Sequence, residues 1–215
     1  SACLVGSEMC IRDSDCDYPF DALAGVGVAF KLILALAIKN GLKTTDVFNQ
    51  YVDIATLGTI ADVVPLLGEN RVIVDKGLKI LHNPKRIGIR AIMEVAGVLD
   101  KPLSASTIAF SIAPRLNAAG RLGSAATAVE LLLTNDESRA RELALLLDTE
   151  NKERQQTERQ IFDEALELIA KDPNFEKKKV IVLAQENWHQ GVIGIVASRL
   201  CDIYYKPCIL ISHTN

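Results

Sequence analysis

A net positive charge, closely spaced cysteines and long uninterrupted apolar runs are all missing from this chain, and each absence removes a class of function. Lys and Arg number 24 against 27 Asp and Glu, a formal net charge of -3. No overall field therefore draws the chain to nucleic acid, and any such contact must come from local basic clusters. The five cysteines, Cys3, Cys10, Cys16, Cys201 and Cys208, contain no C-x-x-C pair, which argues against both a disulfide framework and a zinc site. Ala22 to Ile38 is apolar but short for a membrane span, and Lys31 sits near its middle. A central Lys costs about 2.5 to 3.5 kcal/mol on insertion scales, so a buried helix of a soluble domain is the better assignment. The first residues lack a basic segment followed by an apolar core, so no signal peptide is read. The expectation is a protein of the reducing cytoplasm with no membrane attachment. What remains is ordinary: 49% hydrophobic and 24% charged residues over 215 positions, enough for one large globular domain or parts of two.

In chain order, residues 1–14 show no period and read as a non-native leader. Gly25, Gly27 and their neighbours lack the third glycine and the preceding strand of a dinucleotide fingerprint. They read instead as close-packing positions at the start of a helix that runs to about Asn40, with Gly41 as its cap. Thr44, Thr45 and Asp46 are candidate N-caps of a second helix over Val47 to Ala61. Its last turns, Ile54 to Ala61, hold only apolar or small residues and read as buried, and Asp62 follows with Pro65 just behind it. A desolvated carboxylate protonates, pairs with a cation or binds a metal. The same residue could equally be a cap or turn. Helical patterns continue through Val72, Val74, Leu78 and Leu81 and again to Gly97.

Ser104 to Ile112 reads as a short helix broken by "APRLNAAGRLG", where Pro114, Gly120 and Gly123 suggest a loop. Arg115, Asn117 and Arg121 within it carry two guanidinium forks and an amide, groups suited to phosphate oxygens or to pairing with nearby acids. From Asp136 to about Lys171 one helical pattern has apolar ends, while Asp148 to Gln160 holds no hydrophobic residue. A helix polar on every side reads as a solvated bridge between domains. "VIVLA", then "HQGVIGIVASRL", then "PCILIS" give buried strand, helix and strand, a β-α-β unit of the α/β class. His189 lies in the loop at the strand's carboxyl end, where such sheets bind ligands. Trp188 beside it either stacks a base or packs in a core.

Four stretches, "YPFDALAGVGVAFKL" (Tyr18 to Leu32), "LGTIADVVPLLGENR" (Leu57 to Arg71), "APRLNAAGRLG" (Ala113 to Gly123) and "NWHQGVIGIVASRL" (Asn187 to Leu200), closely resemble, in that order, motifs of the DHH phosphoesterases, specifically the RecJ-type single-strand exonucleases. The resemblance implies an α/β fold: the helix-rich end of a DHH domain over 15–135, a long connecting helix over 136–171, and the beginning of an α/β DHH-associated domain over 172–215. It implies 5′-to-3′ hydrolysis of single-stranded DNA in repair and recombination, with Asp62 as a ligand of catalytic Mn2+ or Mg2+. Arg115, Asn117, Arg121, His189, Gln190, Gly191 and Arg199 become substrate-binding residues. Single-stranded DNA is the implied partner, with a single-strand-binding protein or helicase beside it, and the protein is expected to be monomeric. The family's upstream aspartates and Asp-His-His triplet are not in this sequence, so it reads as an internal fragment that does not turn over alone. Two alternatives share the resemblance. A phosphodiesterase of oligonucleotides or cyclic dinucleotides typically has a Gly-Gly-His loop where this chain has "WHQG". A replication scaffold would keep the fold without the ligands.

Overall fold

The computed structural model describes residues 18–213. The leader assignment at 1–14 and three of the cysteines lie outside the described residues. The chain divides into two compact units, Ser1–Ala113 and Pro114–Asn215.

The first unit is helical: α1 Gly25–Lys39, α2 Thr44–Ala61, α3 Gly68–Leu81 and α4 Ile87–Val95. Two of the helices end where the sequence suggests, before Gly41 and Gly97, both at φ +68, a conformation that costs glycine little. The expected caps at Thr44, Thr45 and Asp46 are not used. Lys43 occupies the N-cap without a side-chain bond. Leu23, Phe30, Val52, Ala55 and Ile73 form a core, and each fully buried large side chain of this kind contributes about 1.5 to 3 kcal/mol. Helices α2 and α3 approach so closely that a Cβ on Gly77 would overlap the Thr56 side chain and reach the Val52 carbonyl. The Thr56 hydroxyl donates to the Ile73 carbonyl at 3.0 Å across the same crossing.

After α5 Ala105–Thr107, capped by Ser104, a π turn at Ile108–Ile112 leads directly into α6 Ala113–Leu122. The stretch "APRLNAAGRLG" is thus mostly helix and not the expected loop. Pro114 would normally break a helix through its missing N–H and its clash one turn back. Here the wider π turn precedes it, with the Ala113 N–H bonded to the Ile108 carbonyl, and the proline is absorbed.

The second unit continues with α7 Ala125–Leu133 and α8 Glu137–Ala170. Asp136 caps α8 by accepting the Arg139 N–H at 2.9 Å. At 34 residues this helix is roughly 50 Å long. Its polar middle is not solvated on every side: Asp148, Asn151 and Arg154 are buried. They recur every third residue on one face, and each is satisfied by a polar partner, which is what makes burial tolerable. Toward its end Ile161, Ala165 and Ile169 join Phe175, Ile181, Trp188, Val192, Val196 and Leu200 in a second core. Strands β1 Ile181–Glu186 and β2 Cys208–His213 are parallel, with Ile181 opposite Cys208 and Glu186 opposite His213. Helix α9 Gln190–Tyr204 joins them, so the β-α-β unit is present. The strands are half-buried and not wholly buried: Val182, Ile209 and Ile211 are exposed, since α9 covers one face.

Candidate functional site

Asp62 directly follows α2 as its C-cap, with φ -83 and ψ -4. It opens a turn together with Val63, ahead of Pro65. Val63 takes φ +57, a left-handed conformation that is a genuine outlier for a β-branched residue, and its side chain is 85% exposed. The acid itself is exposed, which corrects the expectation of a desolvated carboxylate. No described residue bonds or pairs with its side chain. A carboxylate at a helix C-terminus is also disfavoured by the backbone dipoles. An unfavourable charge and a strained backbone thus stand at adjacent exposed positions, Asp62 and Val63, and stability explains neither.

The frame of this turn comes from both motifs of the first unit. Phe20 lies against Gly68, which is at φ +46 and leaves no room for a Cβ. The Tyr18 hydroxyl donates to Glu69 at 2.6 Å, and Lys31 pairs with Glu69 at 3.1 Å. Asn70, fully buried, donates to the Ala22 carbonyl at 2.6 Å and the Pro65 carbonyl at 3.0 Å. The buried acid of α2 is instead Asp53, which the sequence reading missed. It accepts from Arg86 Nε at 2.9 Å while Arg86 Nη2 donates to the Gln50 carbonyl at 2.7 Å. Its signal was a charged residue between buried neighbours, Val52 and Ala55, on the apolar face.

In the second unit the three residues of α6 separate. Asn117 and Arg121 are exposed and one helical turn apart, so they share a face. Arg115 lies on another side, half-buried, its Nε donating to Asp148 Oδ1 at 2.8 Å. Burial pushes the Asp148 carboxyl up, but Lys152 and Arg115 outweigh it and hold the group below the usual carboxylate range. Arg121 Nη1 donates to the Gly191 carbonyl at 3.1 Å. A Cβ on Gly191 would overlap the Arg121 carbonyl oxygen, so the end of α6 and the start of α9 are packed backbone to backbone. His189 is the N-cap of α9, and its Nδ1 accepts the Gly191 N–H at 3.1 Å. A neutral His189 therefore carries its proton on Nε2. Arg121, His189, Gln190 and Gly191 are brought together. Arg199 is not among them: it lies about 13 Å further along α9, stacked 4.1 Å over Phe162 and 4.0 Å from Glu158. Trp188 packs. It is buried, and its indole N–H donates to Glu164 at 2.7 Å.

One acid beside this group is unfavourably placed. Glu150 lies where a Cβ on Gly123 would go, and its Oε2 is buried without a partner. Burial, and secondarily Glu153, push its carboxyl up. A carboxyl raised by folding costs nothing while both states are protonated, and its penalty is complete once pH exceeds the raised value. Glu150→Gln is therefore expected to raise the melting temperature at about pH 7 and to have no such effect at about pH 3. Equal shifts at both pH values would show that the carboxylate carries no penalty.

Hard oxygen donors suit Mg2+ and Mn2+, and Asp62 offers one that no described residue occupies. Among the described residues no group of three or more His, Cys, Asp or Glu could hold a metal ion. The Asp62 carboxylate has the chemistry of a ligand for such an ion but does not by itself make a site. No family model matches the chain. It is 42% identical over 200 residues to the single-stranded-DNA-specific exonuclease RecJ of Bacillus subtilis, covering 93% of this chain and 24% of that protein. The crystal structure of Thermus thermophilus RecJ in complex with Mn2+ superposes with TM-score 0.80 at 39% identity, covering 91% of this chain and 28% of that one. The same protein in complex with Mg2+ gives TM-score 0.79 at 38% identity over 94% of this chain and 30% of that one. The chain thus spans 24% to 36% of the length of the curated RecJ proteins it matches. Over more than nine-tenths of its length, in sequence and in fold, the chain is similar to the RecJ single-stranded-DNA-specific exonucleases.

Proposed function

We propose that this chain works within a longer metal-dependent exonuclease that hydrolyses single-stranded DNA from the 5′ end, with Asp62 as one ligand of Mn2+ or Mg2+. The observation that carries this is Asp62, exposed and without a partner among the described residues, at a helix end followed by a strained residue, in a chain whose fold and sequence resemble RecJ. Asp62 would help to hold a divalent ion, which when bound would supply charge stabilisation for hydrolysis of the phosphodiester. The chain's other residues bind and orient. Arg121 and Asn117 present donors to phosphate oxygens from one face of α6, and His189 Nε2–H and Gln190 add donors at the start of α9. Arg115 supports from behind through Asp148. The proposal extends to domain boundaries at 15–135, 136–171 and 172–215, with the helix over 136–171 as connector. It also extends to repair and recombination in the cytoplasm, and to a single-strand-binding protein or helicase as partner. No helix of the described residues is long and apolar enough to cross a membrane.

The test is nucleotide release from 5′-phosphorylated single-stranded DNA by the full-length protein with Mn2+. Release that stops on chelation, with the 215-residue chain alone inactive, is the expected result. Equal activity on duplex DNA, or none on single strands, would overturn the proposal.

Arg121 separates phosphate binding from bond chemistry. For single strands the slope of log K against log salt is about -0.7 per phosphate neutralised. Arg121→Ala in the full-length protein is expected to weaken DNA binding alike for different sequences and to flatten that slope by up to about this amount, while Asn117→Ala weakens binding with little change in slope. Unchanged binding with cleavage lost would assign Arg121 to the transition state.

A further inference from the structure

We propose that Asn70 is a positioning residue for Asp62: its amide ties the turn that carries the acid to the Tyr18–Ala22 segment. Its side chain is completely buried, and both of its N–H groups are used, one on the Ala22 carbonyl at 2.6 Å and one on the Pro65 carbonyl at 3.0 Å. Two carbonyl acceptors require the NH2 group there, so the orientation of the amide follows from its neighbours. The consequence falls on the other side of the amide, where Oδ1 is buried with no partner among the described residues. An unsatisfied buried oxygen is costly, and an apolar side chain of similar size would avoid that cost. Asn70 is therefore poorly explained by stability. What it does that an apolar residue would not is hold the Pro65 carbonyl, three residues beyond Asp62, at a fixed place.

That restraint acts where the turn has few of its own: the Asp62 and Val63 N–H groups bond back to the end of α2, and Phe20 and Glu69 fix the chain only from Gly68 onward. Val63 is at φ +57 and largely exposed, and Pro65 has no N–H with which to bond. Leu66 and Leu67 are exposed as well. Asn70, in the first turns of α3, is what ties the peptide on the far side of the acid to the unit's core. A ligand must be held to within about half an ångström to bind well, and outer residues that orient metal ligands typically change affinity by about 10- to 100-fold.

The inference rests on Asp62 being a metal ligand, and the experiment separates the two. Mn2+ affinity of the full-length protein is measured by electron paramagnetic resonance of the free ion, beside melting temperature and steady-state kinetics on single-stranded DNA. Asn70→Ala is expected to raise the Mn2+ Kd about 10-fold and to lower kcat, with KM for DNA nearly unchanged. Asn70→Ser, which retains one donor, is expected to fall between and serves if Asn70→Ala does not fold. Thr56→Ala is the control for stability alone. It removes a buried hydrogen bond between the same two helices and is expected to lower the melting temperature without moving the Mn2+ Kd. Folded Asn70 variants with wild-type Mn2+ affinity would overturn the inference, as would a Thr56→Ala protein that loses as much affinity. If Asp62→Asn itself binds Mn2+ like wild type, the underlying assignment of Asp62 is wrong, and that outcome is distinct from a failure at Asn70.

Discussion

Asp62→Asn in the full-length protein is expected to lower kcat on single-stranded DNA by at least about 10^3-fold, equivalent to about 4 kcal/mol of transition-state stabilisation, while leaving the fold intact or slightly more stable. The two halves of this result have different causes. An amide is a poor ligand for a hard divalent ion, so losing the carboxylate removes a donor from the metal set. Stability moves the other way. Asp62 is exposed and has no partner among the described residues, and its negative charge opposes the dipole at the C-terminus of α2, a term worth about 0.3 to 1 kcal/mol at the surface. Removing the charge relieves that term, and Asn is well tolerated at a helix end. A gain in melting temperature with loss of turnover is the pattern of a residue kept for function at some cost to stability. A variant that keeps wild-type turnover would remove Asp62 from the site.

Gly77→Ala is expected to destabilise the first unit by about 1 to 3 kcal/mol, measured by urea unfolding. The sign is the informative part. In an open helical position Ala is better than Gly by about 0.8 to 1 kcal/mol, so a stabilisation would follow if α2 and α3 were loosely packed. The methyl group added at Gly77 would overlap the Thr56 side chain and come within 2.8 Å of the Val52 carbonyl oxygen, which is backbone and cannot rotate away. Gly120→Ala provides the contrast. It sits in α6 with nothing within 4 Å of an added Cβ and is expected to stabilise by up to about 1 kcal/mol. If Gly77→Ala stabilised the protein as Gly120→Ala does, the close crossing of α2 and α3 would not exist as described.

The parts of the fold that could be read in advance are those where local pattern and tertiary environment agree. Gly41 and Gly97 stop helices because no side chain resists their left-handed backbone, and that preference is visible in sequence. The β-α-β unit follows from two short apolar runs flanking a helical one. The 34-residue α8 follows from an unbroken helical pattern with Asp136 as its cap. The errors fall where the environment reverses a local rule. Pro114 and two glycines argue for a loop, but the π turn at Ile108–Ile112 accommodates the proline. Asp148, Asn151 and Arg154 look like a solvated face, but three polar side chains in step can share a buried face when ion pairs and amides satisfy them. Asp62 follows an apolar run yet projects from the helix end into solvent, while Asp53, two turns earlier, is the acid that needs its cation. Periodicity locates a face, but it does not say which polar residues on that face have partners.

The site residues divide in the same way. Arg121 and His189–Gly191 meet because α6 and α9 pack at a glycine, a contact across about 70 residues that no local pattern announces. Arg199 belongs to the same helix by sequence, yet its distance along the axis and its stacking on Phe162 place it apart.

Asp62 as a metal ligand is the claim on which the rest depends, and anomalous X-ray scattering from crystals of the full-length protein soaked in Mn2+ tests it most directly. The account predicts a manganese peak roughly 2 to 2.5 Å from an Asp62 carboxylate oxygen, the distance range of hard divalent ions to such oxygens. Manganese bound elsewhere, with the Asp62 carboxylate in solvent and no peak beside it, would contradict the account.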